Sequence, residues 1–285
     1  MPLATTLRSL AESNRPLWPL DVTLLTDDVS EATRDRVFTS LPVGSIRLRW
    51  LQVDLAAFAD LGLLEHVSRM TFARVLIADA FGSEVSRVLY LDADLLVLGD
   101  LAALMRIDMQ TAAVAAVRDH HVDANLKAGH TERTVGVPRV RDYFNAGVLL
   151  IDLHAWRRLC ISDRTLEFLR AHPNSPYSDQ DALNAACDGH WKELDPTWNF
   201  QNHHATRIDR KPKAERPAIV HFITSTKPWK PSSSSVNAAL FDGFRGRTRF
   251  RRSPAEKAVA AVCTLGYRIR YRLARMTASV GTDPR

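Results

Sequence analysis

The fold is decided by Arg87-Val88-Leu89-Tyr90-Leu91-Asp92-Ala93-Asp94-Leu95-Leu96-Val97-Leu98, an apolar strand pattern interrupted by two carboxylates one residue apart. Acidic side chains are costly among apolar neighbours unless they are paired or bind a cation. Carboxylate oxygens suit hard cations such as Mg²⁺ and Mn²⁺, which usually lie next to phosphate groups. Asp92 and Asp94 therefore predict a divalent-metal site at the end of a buried strand.

Two other interpretations of this Asp-x-Asp pattern are open. The two side chains could simply face water at a strand end, since a short motif is only a hypothesis until its structural context is known. The first Asp could instead be a phosphatase nucleophile, but such motifs usually continue as Asp-x-Thr or Asp-Gly-Thr. Here Leu95 and Leu96 follow Asp94, which disfavours the phosphatase.

Composition narrows the class of protein. The chain has 285 residues, of which 46% are hydrophobic and 25% are charged, as is ordinary for a globular protein. It contains no apolar run of about 18 residues and no signal-peptide core, which predicts a cytoplasmic protein. The three cysteines are odd in number and form no Cys-x-x-Cys, which indicates reduced thiols.

Basic charge is concentrated near the C-terminus. The net charge is +6, and the basic residues that create much of it are Arg245, Arg247, Arg249, Arg251, Arg252, Lys257, Arg268, Arg270, Arg272 and Arg275. Ser253-Pro254-Ala255-Glu256 predicts a helix start with a capping box, and apolar residues then recur at helical spacing up to Met276. We expect residues 1–250 to form one domain and residues 251–285 a basic amphipathic tail. The tail either packs on the domain or contacts an anionic membrane.

Strands and helices alternate along the domain. Strand-like runs lie at 22–26, 46–53, 88–91, 112–117 and 146–151, with helical runs at 30–40 and 68–81. This alternation predicts an α/β fold with a mostly parallel central sheet flanked by helices. Ligands in such sheets bind beyond the carboxyl ends of the strands, which is where Asp92 and Asp94 lie.

Further segments place polar groups beside apolar runs. They are Tyr143-Phe144-Asn145-Ala146-Gly147-Val148-Leu149-Leu150, Ser178-Asp179-Gln180-Asp181-Ala182-Leu183-Asn184, Val220-His221-Phe222 and Lys227-Pro228-Trp229. Each has an ordinary explanation when taken singly. Ser178 is expected to cap a helix whose first acids, Asp179 and Asp181, suit the helix dipole. Asn145 could satisfy backbone groups, and His221 could be a buried, hydrogen-bonded imidazole.

Together with the Asp-x-Asp pattern, the order and spacing of these segments resemble the family-8 glycosyltransferases, which include bacterial lipopolysaccharide hexosyltransferases and glycogenin-like enzymes. The resemblance covers about residues 5–229. It implies a GT-A-type, nucleotide-sugar-binding domain. It also implies retaining transfer of a hexose from a UDP-sugar to a glycan or lipid-linked acceptor, of the cell-envelope polysaccharide or lipopolysaccharide type.

The same resemblance implies roles for individual residues. Asp92, Asp94 and His221 would hold Mn²⁺, with Mg²⁺ as the alternative. Lys227 would contact the donor diphosphate as a point charge. The implied donor-binding residues are Arg74, Asp92, Ala93, Asn145 and Lys227, and the implied catalytic residues are Asp179 and Gln180.

One departure from the family pattern concerns the first strand. Family members begin with a strand that ends in Ala/Thr-Asp-Asp-x-Tyr and binds uridine, whereas residues 3–10 here align with the helix that follows it. The first strand is therefore expected to be missing. Residues 24–28 imitate that motif but lie where a second strand is expected, so Asp27 and Asp28 are not assigned to the nucleotide.

Two other function classes remain open. A non-catalytic or truncated relative of the same fold would act as a binding or regulatory protein. A nucleic-acid-binding protein would rest on the basic charge alone, and such binding would fall steeply with salt. We expect no nucleic-acid partner, and instead peripheral contact with the inner membrane face through the tail.

Overall fold

The computed structural model describes residues 1–59, 61, 69–119, 122, 139–201, 208, 211–212, 215–223, 226–230, 233, 235, 237–263 and 266. Within these residues, strands and helices alternate along most of the chain. The predicted α/β class, with a central sheet flanked by helices, is confirmed.

The five predicted strand runs and the helical run at 30–40 correspond to elements of the structure, whereas the helical run expected at 68–81 is a 3₁₀ segment over Arg69–Leu76. The strands are β1 (Leu20–Thr26), β2 (Ile46–Gln52), β3 (Arg87–Leu91), β4 (Leu95–Val97), β5 (Val114–Arg118), β6 (Phe144–Asp152), β7 (Trp191–Glu193), β8 (Phe200–Gln201) and β9 (Ile219–His221). The α-helices are α1 (Pro2–Ser13), α2 (Glu31–Phe38), α3 (Ala102–Met105), α4 (Leu153–Arg158), α5 (Ile161–Ala171), α6 (Asp179–Ala186) and α7 (Ala238–Arg245). Short 3₁₀ segments span Arg15–Leu17, Ala56–Phe58, Arg69–Leu76 and Pro196–Asn199.

Strand β6 is the centre of the largest sheet. It pairs with β3 on one side and with β5 on the other, and β7 lies beyond β5. Every residue of β6 except Asp152 is buried. Its side chains alternate between two cores, because successive strand residues point to opposite faces. Val148 and Leu150 pack with α1, and Leu149 and Ile151 pack with α4 and α6.

Strand direction departs from the expected mostly parallel sheet. Strand β6 runs antiparallel to both β3 and β5, and β4 runs antiparallel to β9. The pairs β1–β2, β5–β7 and β8–β9 are parallel. A strand that is buried on both faces reads as a continuous apolar run in either direction, so the sequence pattern did not reveal that β6 is reversed.

Strands β1 and β2 form a ladder of their own. The chain enters through α1, which packs against β4, and β1 follows. Within the described residues, β1 forms a ladder with β2 only, and β3 forms a ladder with β6 only. No ladder in that part of the chain joins β1 to β3, so the two sheets are not continuous there.

The chain after α7 is tied to the first two helices by arginines. Arg247 Nη2 lies 2.8 Å from Glu12 Oε2. Arg36 donates a hydrogen bond to the Arg249 carbonyl at 3.0 Å, and its guanidinium lies 4.2 Å from the centre of the Phe250 ring. The contact continues past residue 250, because Arg252 Nε lies 3.0 Å from Asp242 Oδ2.

The predicted C-terminal helix begins where the sequence indicates. The Ser253 N–H donates to Glu256 Oε2 at 2.7 Å and the Glu256 N–H donates to Ser253 Oγ at 3.2 Å, which completes the capping box. Residues 254–263 are helical, and Val259 and Val262 are 52% and 71% exposed. The arginines from 268 onward lie outside the described residues. In the part of the chain that is described, no helix has the length and apolarity needed to span a membrane.

Two cysteines in contrasting surroundings give a test of this core. Cys187 is fully buried in the cluster formed with α4 and α6, and burial raises the pKa of its thiol to about 12. Cys160 is exposed. Because the thiolate is the reactive form, we expect Ellman's reagent near pH 8 to label Cys160 but not Cys187 until the protein is unfolded. Peptide mass spectrometry would show this, and equal labelling of both thiols in the folded protein would contradict the packing.

Candidate active site

The turn between β3 and β4 carries the Asp-x-Asp pair. The Asp92 N–H donates to the Gly147 carbonyl at 2.9 Å, which ties the start of the turn to β6. After the turn, β4 pairs with β9 so that Leu95 lies opposite His221. This register brings His221 beside the carboxylate of Asp94, although 127 positions separate them in the sequence.

Asp92, Asp94 and His221 form a cluster in which the three possible ligand atoms lie within 4.8 Å of one another. His221 Nε2 is 3.1 Å from Asp94 Oδ1 and 3.7 Å from Asp92 Oδ2. Two carboxylates this close repel each other unless positive charge lies between them. Carboxylates suit Mg²⁺ and Mn²⁺, and an imidazole nitrogen suits transition metals, so Mn²⁺ fits both kinds of donor.

Lys227 lies on the other side of Asp94. Its ammonium donates to Asp94 Oδ2 at 2.7 Å and to the Phe222 carbonyl at 2.6 Å. Burial by itself would raise the pKa of Asp94, but His221 and Lys227 outweigh it and hold this pKa well below its usual range. The Asp94 side chain is therefore ionised at neutral pH.

Arg74 connects the cluster to the start of α6. It donates to the Ala146 carbonyl at 2.7 Å and to Asp92 Oδ1 at 3.1 Å, and its Nε lies 3.0 Å from Asp179 Oδ2. The Tyr90 hydroxyl donates to the same Asp92 Oδ1 at 2.7 Å. Arg74 and Tyr90 thus occupy one oxygen of Asp92 and leave Oδ2 for the cluster.

Gln180 and Asn145 belong to one buried amide network. Gln180 Oε1 accepts from the Ala146 N–H at 3.0 Å and from Asn145 Nδ2 at 3.2 Å. Asp119 Oδ2 accepts from Asn145 Nδ2 at 3.2 Å and from Gln180 Nε2 at 3.3 Å. The two predicted amides are therefore fixed by each other and by a carboxylate that the sequence analysis did not select.

Asp179 is a buried carboxylate whose pKa is raised. Burial raises its pKa to about 7, although the nearby Arg74 opposes this. Oδ2 is close to Arg74 Nε, but the two groups are not aligned as a hydrogen bond, and within the described residues this oxygen has no hydrogen-bond partner. A buried oxygen in a pocket that accepts no hydrogen bond is a candidate for contact with a substrate.

The segment before α6 differs from the expected helix cap. Ser178 makes no side-chain capping bond and has a φ of 50°, which is uncommon for a residue other than glycine. The Asp181 carboxylate holds this segment instead, because it accepts from the hydroxyls of Tyr143 and Ser175 and from the Tyr177 N–H. Asp181 is therefore more than a dipole-compensating acid, since it fixes the rim over Asp179.

These groups line one open pocket of ≈ 460 Å³. The predicted residues that line it are Arg74, Asp92, Asp94, Asn145, Asp179, Gln180, His221 and Lys227. Ala93 is exposed in the turn, where its carbonyl accepts from the Thr6 hydroxyl at 2.8 Å. The tertiary structure thus gathers eight of the nine predicted site residues around one cavity.

Sequence reasoning missed two buried residues of the site. Asp119 directly follows β5, as Asp92 follows β3, so the end of an apolar run was an available signal. Asn199 Oδ1 lies 3.0 Å from His221 Nδ1, and Asn199 Nδ2 donates to Asn145 Oδ1 at 2.9 Å. Its segment, Pro196–Asn199, carries no local signal because both partners are remote in sequence.

Gly147 allows the cluster to close. A Cβ atom at this position would lie 2.1 Å from His221 Cε1 and 2.8 Å from Asp92 Oδ2, which are distances that real side chains do not reach. The imidazole therefore occupies the space of a missing side chain. This close approach, together with the two carboxylates and one imidazole, fits a bound divalent ion.

Comparison with solved structures identifies the class of fold. The galactosyltransferase LgtC, solved in complex with donor and acceptor sugar analogues, superimposes with a TM-score of 0.74 at 27% identity over 90% of this chain and 95% of that chain. The domain is a GT-A-type glycosyltransferase fold.

Sequence comparison identifies the family. The profile of Glycosyl transferase family 8 matches residues 3–232, and the chain belongs to this family. General stress protein A of Bacillus subtilis (strain 168) is 33% identical over 68% of this chain and 71% of its own length. Lipopolysaccharide 1,3-galactosyltransferase of Salmonella typhimurium is 29% identical over 62% of this chain and 54% of its own length. The chain spans roughly half the length of other curated relatives that it matches.

Gly147→Ala should disrupt the cluster. The added methyl group must displace His221, so we expect Mn²⁺ affinity to fall at least about tenfold and the free energy of unfolding to fall by about 1–3 kcal/mol. Isothermal titration calorimetry and chemical denaturation measure these. Gly243→Ala is the matched control, because a Cβ there meets nothing within 4 Å. Unchanged Mn²⁺ binding in folded Gly147→Ala protein would show that Mn²⁺ binding does not depend on the space left free at Gly147.

Proposed function

We propose that this protein is a metal-dependent, retaining glycosyltransferase that moves a hexose from a UDP-sugar to a glycan or lipid-linked acceptor. One observation carries the proposal: an Asp-Asp-His cluster, a lysine and a buried carboxylate beside an amide all face one pocket. The named activity of the Salmonella relative supports a lipopolysaccharide-type acceptor. The sugar analogues bound to LgtC support a sugar donor and a sugar acceptor.

Asp92, Asp94 and His221 are the residues that would hold Mn²⁺, or Mg²⁺ as the alternative. When bound, a divalent ion neutralises negative charge on a diphosphate leaving group without any proton transfer. Arg74 helps to orient Asp92, since its guanidinium and the Tyr90 hydroxyl both bind Oδ1. The carboxylates are therefore set in place before a ligand arrives.

Lys227 is the proposed contact to the donor diphosphate. Its ammonium is already fixed by Asp94 and by the Phe222 carbonyl, so it does not need to be ordered on binding. A fixed positive charge beside the leaving oxygen stabilises the negative charge that develops there. The donor-binding role of Ala93, which the family resemblance implies, stays a prediction.

Asp179 and Gln180 are the proposed catalytic residues, with Asn145 beside them on the donor sugar. As the bond between the anomeric carbon and UDP breaks, the sugar gains positive charge, which a nearby oxygen stabilises. Gln180 Oε1 already accepts two hydrogen bonds, whereas Asp179 Oδ2 has no hydrogen-bond partner within the described residues. Asp179 is therefore the better candidate for direct contact, and Gln180 for holding the sugar in place.

A non-catalytic relative of the same fold is the second candidate function. Its distinguishing feature would be loss of some of the charged groups in the pocket. Asp94 pairs with both His221 and Lys227, and Asp92 lies 3.7 Å from His221, which favours the enzyme.

Asp94→Asn tests the enzyme directly. The variant loses one proposed metal ligand and the ion pair with Lys227, so we expect Mn²⁺-dependent release of UDP from a panel of UDP-hexoses to fall by about 10²-fold or more. Asp21→Asn is the control. It removes an exposed carboxylate on β1 that pairs with Arg47 on β2. No Mn²⁺-dependent release from any donor by the wild-type protein would favour the non-catalytic relative.

We propose in addition that residues 251–285 form a tail that contacts the anionic inner face of a membrane. The exposure of Val259 and Val262 supports this, because their apolar side chains face away from the domain. The basic residues of the tail supply attraction to anionic lipid headgroups.

Vesicle flotation tests the tail. The double variant Val259→Asp, Val262→Asp should bind phosphatidylglycerol-containing vesicles at least about fivefold more weakly, because two apolar contacts are replaced by charges that the anionic surface repels. Leu17→Asp is the control, since Leu17 is also exposed (38%) but lies outside the tail. Equal binding after deletion of residues 253–285 would exclude the tail as the membrane contact.

A further inference from the structure

Asn199 lies between the Asp-Asp-His cluster and the buried amide network. It ends the 3₁₀ segment Pro196–Asn199 and is 1% exposed. On one side its Oδ1 is 3.0 Å from His221 Nδ1, and on the other its Nδ2 donates to Asn145 Oδ1 at 2.9 Å. It does not line the pocket, so any effect on a ligand passes through these two neighbours.

A backbone group fixes the direction of these hydrogen bonds. The Gly147 N–H donates to the Asn145 side chain at 3.1 Å, and an N–H can only donate, so the atom it reaches is the Asn145 oxygen. Asn199 must therefore offer its amide nitrogen to that same oxygen. Its own oxygen then faces His221, and because an amide oxygen only accepts, His221 Nδ1 must carry a proton.

The proton on Nδ1 determines what the other ring nitrogen can do. In a neutral imidazole with the proton on Nδ1, Nε2 has a free lone pair. Nε2 is the atom that faces Asp94 Oδ1 at 3.1 Å and Asp92 Oδ2 at 3.7 Å. A lone pair turned toward two carboxylates suits a cation bound among the three atoms, and hydrogen bonds of this kind commonly fix the tautomer of metal-binding histidines.

We propose that Asn199 is a positioning residue that couples metal binding to the order of the donor-sugar pocket. Its oxygen selects the His221 tautomer that can bind the ion, and its nitrogen holds Asn145, which in turn bonds Gln180. The inference rests on the proposed function for the identity of the ion, while the proton on Nδ1 follows from the hydrogen bonds alone. Displacing Asn199 then disturbs both the ion and the sugar.

Two substitutions separate the two contacts. Asn199→Asp keeps an acceptor for His221 Nδ1 but cannot donate to Asn145. Asn199→Ala removes both contacts. Asn14→Ala is the matched control, because Asn14 is an equally buried amide that bonds the backbone of Leu10 and Leu101 away from the pocket. A thermal unfolding curve for each variant separates loss of folding from loss of function.

Mn²⁺ binding, followed by electron paramagnetic resonance without any sugar nucleotide, is the first measurement. Second-sphere partners of metal ligands are commonly worth 10–100-fold in affinity. We expect Asn199→Ala to bind Mn²⁺ at least about tenfold more weakly, and Asn199→Asp and Asn14→Ala to bind within about threefold of wild type. Turnover of the UDP-hexose at saturating Mn²⁺ should still fall about tenfold in Asn199→Asp. Wild-type Mn²⁺ affinity in folded Asn199→Ala, or equal loss in both Asn199 variants, would overturn the proposal.

The tautomer itself can be read without relying on metal affinity or activity. In ¹⁵N-histidine-labelled protein with Mg²⁺, the ring signals that disappear in His221→Gln belong to His221. We expect a protonated Nδ1 and an unprotonated Nε2. A protonated Nε2 would overturn the role of Asn199. Failure of wild type to bind Mn²⁺ with the expected tautomer present would instead refute the metal part of the proposed function and with it the coupling, while the selection of the tautomer by Asn199 would stand.

Discussion

The mutual repulsion of Asp92 and Asp94 is the constraint on which the rest of the site depends. Both carboxylates are only partly exposed, so water compensates their charge poorly, and neighbouring groups must do so. Arg74 and Tyr90 bind one oxygen of Asp92, and Lys227 binds one oxygen of Asp94. Each carboxylate keeps its other oxygen turned toward the imidazole of His221, and that arrangement suits a bound cation.

Strand β6 is the scaffold that makes this arrangement rigid. It is buried on both faces, and three successive residues near its start serve the site in different ways. Asn145 joins the amide network, the Ala146 carbonyl accepts from Arg74, and Gly147 leaves room for His221. These residues follow one another on one strand at the centre of the sheet, so the Asp-Asp-His cluster and the amide network share a single support.

Much of this site could be predicted, and particular residues show why. Asp92 and Asp94 interrupt an apolar run, which is costly without compensation, so the sequence pattern marked them directly. His221 and Lys227 were recognised through the order of several segments, and not from their own surroundings. Asp119 had a usable end-of-strand signal that was not read, whereas Asn199 had none, because its partners are remote in sequence. The direction of β6 was misjudged for a similar reason, since burial on two faces hides strand direction.

The sequence by itself determined the α/β class, the approximate bounds of five strands, the family, and the residue types gathered in the pocket. These follow from periodicity, from capping residues and from charges placed among apolar neighbours, all of which are local or depend only on order. The tertiary structure decided which oxygen of each carboxylate remains available, which ring nitrogen of His221 faces them, and that Asp179 is buried with a raised pKa. Those properties depend on distances between residues far apart in the chain, and no local pattern encodes such distances.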